Sequence, residues 1–205
     1  MASHSQAGRN IKLVAQGFNP PMFSEYWLKK ENFIPDDLAI LPNPISTPQF
    51  VQISSKKFNL IVLPDQLQFN ITDDYKLGVV FIKAVVEKVF SLKYIAMGFN
   101  FDYFVPDKEI KHGLFYVPTN KLFKEFNTAD ARFGTFLSKS YENSRLSISV
   151  KPTKAVDPKG LESDVYHYSI NYHFDLLKVD SKKTIISSLD KWNRYYKYSE
   201  ELMSL

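Results

Sequence analysis

An α+β fold, with antiparallel sheet covered by helices and two similar halves packed together, follows from three observations. Short segments of period-two hydrophobic alternation, the mark of half-buried strands, occur in both halves of the chain. Two segments carry helical spacing instead, one before residue 92 and one from Ser181 onward. Tight turns and short loops join the strand-like runs, so neighbouring strands pair as hairpins and the helices segregate to a face.

The elements follow in order. Residues 1–9 are polar and predict a disordered N-terminus ahead of one domain at 10–205, with halves at about 10–110 and 111–205. NIKLVAQGF at 10–18 predicts the first strand. Residues 19–48 hold six of the eleven prolines and read as an extended connection around one helical turn at 24–30, pinned by Trp27 and Phe33. QFVQIS, FNLIVL and QLQFNIT predict three strands, the last two joined at Pro64 and Asp65.

The apolar spacing at 77, 81, 85, 89 and 92 predicts a helix over 75–92. KYIAMGFNFDYFV then alternates, placing Ile95, Met97, Phe99, Phe101, Tyr103 and Val105 on one face and Tyr94, Ala96, Gly98, Asn100 and Asp102 on the other. The second half predicts a short helix at 119–126, strands at 131–139 and 144–151, a loop PTKAVDPKGLES at 152–163, and the strand DVYHYSINYHFDLL at 164–177. A closing helix follows, capped by Asp180 or Ser181, with Ile185, Leu189, Trp192, Tyr196 and Met203 as its buried stripe.

The composition of this 205-residue chain, 44% hydrophobic and 15% aromatic, is globular, and the absence of cysteine excludes disulfides, thiolate catalysis and cysteine-held metals. Without an apolar leader or span, the reading is a cytoplasmic protein with no membrane association. The formal net charge of +4 rests on lysine: of 26 basic residues only Arg9, Arg132, Arg145 and Arg194 are arginine, and no basic block forms. Phosphate and base-edge forks are arginine work, so this charge is better explained as a solvated surface.

Three segments invite a chemical reading. In the 164–177 strand His167, Ser169, Asn171, His173 and Asp175 share the polar face. At ~3.3 Å per residue the two histidines stand roughly 20 Å apart and cannot share a metal. His173 and Asp175 are neighbours on that face and form the candidate pair, a titratable group with its orienting carboxylate; His167 and Asn171 complete the candidate surface. Asp65 and the Asp74-Tyr75-Lys76 run match a PD…(D/E)xK pattern, but a strand between them separates the carboxylates, which read instead as a turn residue and a helix cap. On the last helix, Lys191, Arg194, Tyr195, Lys197 and Tyr198 mix cations with aromatics and form a candidate nucleic-acid or protein surface. No phosphate loop, dinucleotide fingerprint, HExxH or nucleophile elbow occurs, so neither cofactor nor metal is assigned.

Leu92-Lys93-Tyr94-Ile95 and Leu189-Asp190-Lys191-Trp192-Asn193 are similar to the LRYIN-like strand and the LDxxH-like C-terminal helix of a sporadically distributed, largely uncharacterised bacterial α+β family. The resemblance spans about residues 50–205 in topology, with Ala96 and Asn193 in place of that family's Asn and His. It implies a fold and a cytoplasmic bacterial setting, and no activity. The functional expectation is a non-enzymatic protein-interaction module that binds another protein or itself. The alternatives are a nucleic-acid binder using the lysines and tyrosines of the last helix, or a small-molecule binder or unusual enzyme with a pocket between the halves near His173, Asp175, Asn100 and Asp102.

Overall fold

The computed structural model describes residues 4–89, 91–107, 134–157 and 159–203. Nine strands form one antiparallel sheet: β1 (Ser5–Gln16), β2 (Ile45–Thr47), β3 (Phe50–Ser54), β4 (Phe58–Leu63), β5 (Gln66–Ile71), β6 (Lys93–Pro106), β7 (Thr135–Tyr141), β8 (Ser144–Val156) and β9 (Glu162–Asp175). Their order across the sheet is β2-β3-β4-β5-β1-β6-β9-β8-β7. The helices are α1 (Glu25–Lys30), α2 (Tyr75–Lys88), α3 (Ser181–Asp190) and α4 (Trp192–Met203). None of the helices in the described residues is long and apolar enough to cross a membrane.

β1 is followed by the meander β3-β4-β5, whose last strand returns beside β1 and leads into α2; β6 is followed by β7-β8-β9, whose last strand returns beside β6 and leads into α3. The halves are joined by main-chain pairing of β1 with β6, around Asn10 opposite Asn100, and form a single continuous sheet.

Period-two burial decides which way the sheet faces. Ile11, Leu13, Phe58, Leu60, Leu67, Phe69, Phe99, Phe101, Tyr103, Ile170, Tyr172 and Phe174 are all fully buried on one face, and α2, α3 and α4 pack there. α2 is capped by Asp74, whose carboxylate accepts from the Lys76 N–H at 2.9 Å. It buries Phe81, Ile82, Val85 and Val86, and Lys83 reaches across to Asp190 of α3. α1 is capped by Ser24; Trp27 lies 4.5 Å from Phe33, and Phe33 lies 5.8 Å from Phe81, pinning the proline-rich connection as predicted.

Four expectations change. β1 begins at Ser5, not at residue 10. Residues 5–9 pair only with β6, since pairing with β5 starts at Asn10, so this extension needs no apolar face and shows none in its sequence. The loop placed at 152–163 is mostly strand: β8 runs to Val156 and β9 starts at Glu162, around a turn in which Asp157 accepts from Lys159 and Leu161. Pro152 sits where, among the described residues, β8 pairs with β9 alone, its pairing with β7 ending at Val150.

The closing helix breaks at Lys191, whose N–H bonds back to Ser188 and Leu189. The break moves the buried stripe onto Tyr195, fully buried, and leaves Tyr196 half-buried. The 75–92 helix stops at Lys88, because Val89 takes an extended conformation. The helix expected at 119–126 and the start of the 131–139 strand lie outside the described residues.

Two predictions follow from the packing. A Cβ at Gly78 of α2 would stand 2.9 Å from Ile71 Cδ1 and 3.2 Å from Phe69 Cδ1, so the helix rides directly on β5. Overpacking costs about 1–3 kcal/mol, against about 1 kcal/mol gained from alanine over glycine in a helix. Gly78→Ala therefore destabilises in urea titration, and Ile71→Val, which removes Cδ1, lowers that cost in the double variant. Burial also raises the hydroxyl pKa of Tyr94, Tyr103, Tyr172 and Tyr195 well above the tyrosine range. The unfolded chain releases these protons near pH ~10 while the folded chain keeps them. Stability is thus fully present below about pH 10 and falls as pH rises beyond it; equilibrium denaturation at pH 8 and at pH 11 measures the loss.

Candidate functional site

The sheet face opposite the helices carries no further layer among the described residues, and strand register aligns its side chains into rows. The central row crosses eight strands: Ser54 opposite Asn59, Asn59 opposite Asn70, Asn70 opposite Asn10, Asn10 opposite Asn100, Asn100 opposite Asn171, Asn171 opposite Ser147, and Ser147 opposite Ser138. The amides bond along the row. Asn171 Nδ2 donates to Asn100 Oδ1 and Asn100 Nδ2 donates to Asn10 Oδ1 at 2.7 Å. On the other side of the centre Gln68 Nε2 donates to Asn70 Oδ1 at 2.7 Å, and Asn70 Nδ2 donates to the Asn59 carbonyl at 3.2 Å.

On one flank of this row stand Gln68, Lys12, Gly98, His173 and Arg145; on the other stand Gly8, Asp102, Ser169 and Ser149. Half-buried Phe50, Ile61, Leu63, Val14 and Phe104 and the exposed Phe136 occupy the same face further out. The face is therefore amphipathic, with a polar spine and apolar flanks.

The sequence-predicted residues divide into two groups. His167, Asn171, His173 and Asp175 do lie on this face, but the histidine–carboxylate pair is a different one. Asp175 turns its Oδ1 to the Leu177 N–H at 3.0 Å and closes the chain out of β9, while His173 stands between Gly98 and Arg145. It is His167 whose Nε2 meets Asp102 Oδ1, at 2.9 Å, diagonally across β6 and β9. Cross-strand diagonals bring together residues remote in sequence, which spacing within one strand cannot reveal. Arg145 Nε donates to Ser138 Oγ at 2.7 Å. Asn10, Asn70, Asn100 and Asn171, the His167–Asp102 pair and Arg145 are thus tied to neighbours.

The second group, Lys191 and residues of α4, is tied to the β7-β8 hairpin, while Lys191 and Arg194 stay exposed. Glu142, at the tip of the β7-β8 hairpin with φ 51°, pairs with Arg194 at 2.8 Å and Lys191 at 3.4 Å. Tyr195 is buried and donates to Glu142 at 3.3 Å and to Asn143 at 3.1 Å. Tyr198 stacks on Tyr141 at 4.6 Å and accepts from Lys139 Nζ at 2.9 Å. These four residues clamp the last helix to the hairpin. Their mixture of cations and aromatics has the composition of a binding surface, but the phase shift at Lys191 turns Tyr195 inward.

Between the halves β1 and β6 pair directly. The described hollows lie on the helical side: about 360 Å³ between α2 and α3, and about 430 Å³ beside α4 and Tyr141. Among the described residues no three His, Asp or Glu side chains converge as a metal site. No protein-family model and no curated protein matches the chain.

The two placements of Tyr195 differ in energy. Truncating a buried aromatic costs about 3–5 kcal/mol, whereas an exposed substitution stays within about 0.5 kcal/mol. Tyr195→Ala is therefore expected to destabilise on the larger scale and Lys197→Ala on the smaller, read from paired urea titrations.

Proposed function

We propose that this protein is a non-enzymatic protein-interaction module and that the open sheet face is its binding surface. The observation that carries the reading is one-sided burial. Nine strands share a helix-covered face, and the opposite face combines a self-bonded amide row with half-buried apolar side chains on both flanks. Apolar residues of this size on a sheet face that no described residue covers gain free energy when a partner removes them from water. A polar spine whose members already bond one another offers preset donors and acceptors without an ordering cost at each side chain.

The nucleic-acid alternative draws on Lys191, Arg194, Tyr195 and Tyr198, and loses support because Glu142 pairs with both cations while Tyr195 is core. The small-molecule alternative loses support because Asn100, Asp102, His173 and Asp175 lie on an open sheet instead of lining a cleft. The halves at 10–110 and 111–205 are read here as related by a pseudo-twofold axis through the sheet between Asn10 and Asn100. Gly8-x-Asn10 and Gly98-x-Asn100 occupy equivalent places in that reading, as do Asn70 and Asn171.

Light scattering on the full-length protein, eluted from a sizing column after gentle purification from its own host, tests the reading. The expected particle exceeds the 23.8 kDa chain mass, and Asn100→Arg, which places a long cation mid-row, returns it to the single chain with unchanged circular dichroism. A wild-type particle of chain mass with nothing bound would overturn the proposal.

A further inference from the structure

We infer that the partner on this face is a second copy of the chain, packed sheet to sheet about a twofold axis lying along the amide row. The inference rests on the interaction reading above and adds the identity of the occupant. Three observations at the centre of the face carry it.

The first is the placement of charge. On the two central strands Lys12 and Asp102 stand two residues beyond Asn10 and Asn100, on opposite sides of the row because the strands are antiparallel. The second is that each charge is paired across the strands with a glycine: Lys12 lies opposite Gly98, and Asp102 opposite Gly8. On these two strands the face thus sets one charge beside one glycine on each side of the row.

A twofold rotation about the row lays a second copy over the first with its own rows reversed from side to side. Asp102 of the second copy then descends over Gly98 of the first, next to Lys12, and Lys12 of the second copy descends over Gly8, next to Asp102. The same contacts form twice. Strands in one sheet are about 4.8 Å apart, so the lysine and the carboxylate it meets stand one strand apart and within reach of a lysine side chain, while facing sheets sit about 10 Å apart.

The third observation concerns the carboxylate. Asp102 Oδ1 is held by His167, and Oδ2 faces Gly8, 3.9 Å from where a Cβ would stand. The oxygen not used by His167 therefore points to the place where the second copy's Lys12 arrives. A self-complementary patch of this kind is what a twofold interface requires.

The area suffices. Five same-face rows on each of β1, β6 and β9 and three on each of β8 and β7 lie across the axis and face their counterparts; at about 4.8 Å by about 6.7 Å per position they cover roughly 700 Å², near the ~800 Å² per partner of a stable interface. Val14, Phe104 and Phe136 supply apolar area around the charged centre.

Charge reversal tests this by sedimentation equilibrium on the full chain. The wild type is expected to weigh twice 23.8 kDa. Lys12→Asp and Asp102→Lys each place like charges together twice and should raise the dissociation constant at least tenfold; the double variant restores opposite pairs and should recover the dimer. If Asp102→Lys fails to fold for want of the His167 partner, Asp102→Asn keeps an oxygen for His167, removes only the charge and should weaken the dimer alone. A dimer indifferent to Lys12→Asp and Asp102→Asn overturns the proposed packing. A monomeric chain that instead holds a stoichiometric different polypeptide, released by Asn100→Arg, overturns self-pairing while leaving the interaction reading in place.

Discussion

The antiparallel pairing of β1 with β6 is the constraint on which the rest of the structure depends. It runs from Gln16 opposite Lys93 to Ser5 opposite Phe104, and each strand carries one meander on its outer side: β5-β4-β3 beside β1 and β9-β8-β7 beside β6. Because side chains alternate along a strand, fixing Asn10 opposite Asn100 also fixes which face of the sheet takes the apolar residues. Ile11, Leu13, Phe99 and Phe101 then point together, and the helices returning from β5 and β9 have one common surface to cover. The aromatic packing under α4, with Phe99 at 5.4 Å and Phe174 at 5.6 Å from Tyr195, is a consequence of that choice of face.

Much of the fold could be read in the residues because its local signals agree. QLQFNI alternates without interruption, and Asp74, Asp180 and Ser24 cap the helices they precede. The departures occur where an element is fixed by something other than its own pattern. Ser5–Arg9 form a strand because β6 offers them backbone partners, and no apolar residue announces it. Lys191 interrupts a run of good helix formers through a local cap, and the resulting step in phase exchanges Tyr196 for Tyr195 in the core. The candidate face was legible as one polar side of one strand. Its depth was not, because the amide row is assembled from seven tight or distant connections whose register only the three-dimensional pairing sets.

That row runs against intrinsic preference. Asparagine is depleted in strands, because its side chain competes for backbone hydrogen bonds and packs poorly on a pleated surface. Five of them stand in adjacent strands at one register level; Asn171, Asn100 and Asn10 are tolerated because their amides bond in sequence, Asn70 bonds Gln68 and the Asn59 carbonyl, and Asn59 Oδ1 is buried without a partner among the described residues. Net stabilisation from such bonds is about 1 kcal/mol each. Valine or threonine at the same places would serve a solvated sheet at least as well. A local rule broken repeatedly along one line of a face is where a functional demand is to be sought.

The two faces also differ in how they hold charge. On the helical side, Glu142 is fixed in a left-handed conformation that few side chains adopt, and its contacts with Arg194, Lys191 and Tyr195 consume the positive charge of α4. On the open side, Lys12 and Asp102 are separated by the amide row and set beside glycines, so the chain does not neutralise them against each other. Charges kept apart within a molecule on opposite sides of one row remain available to neutralise one another between molecules. The arrangement that costs the monomer an internal ion pair therefore gives the face its polarity, and that polarity distinguishes a copy laid along the row from one laid across it.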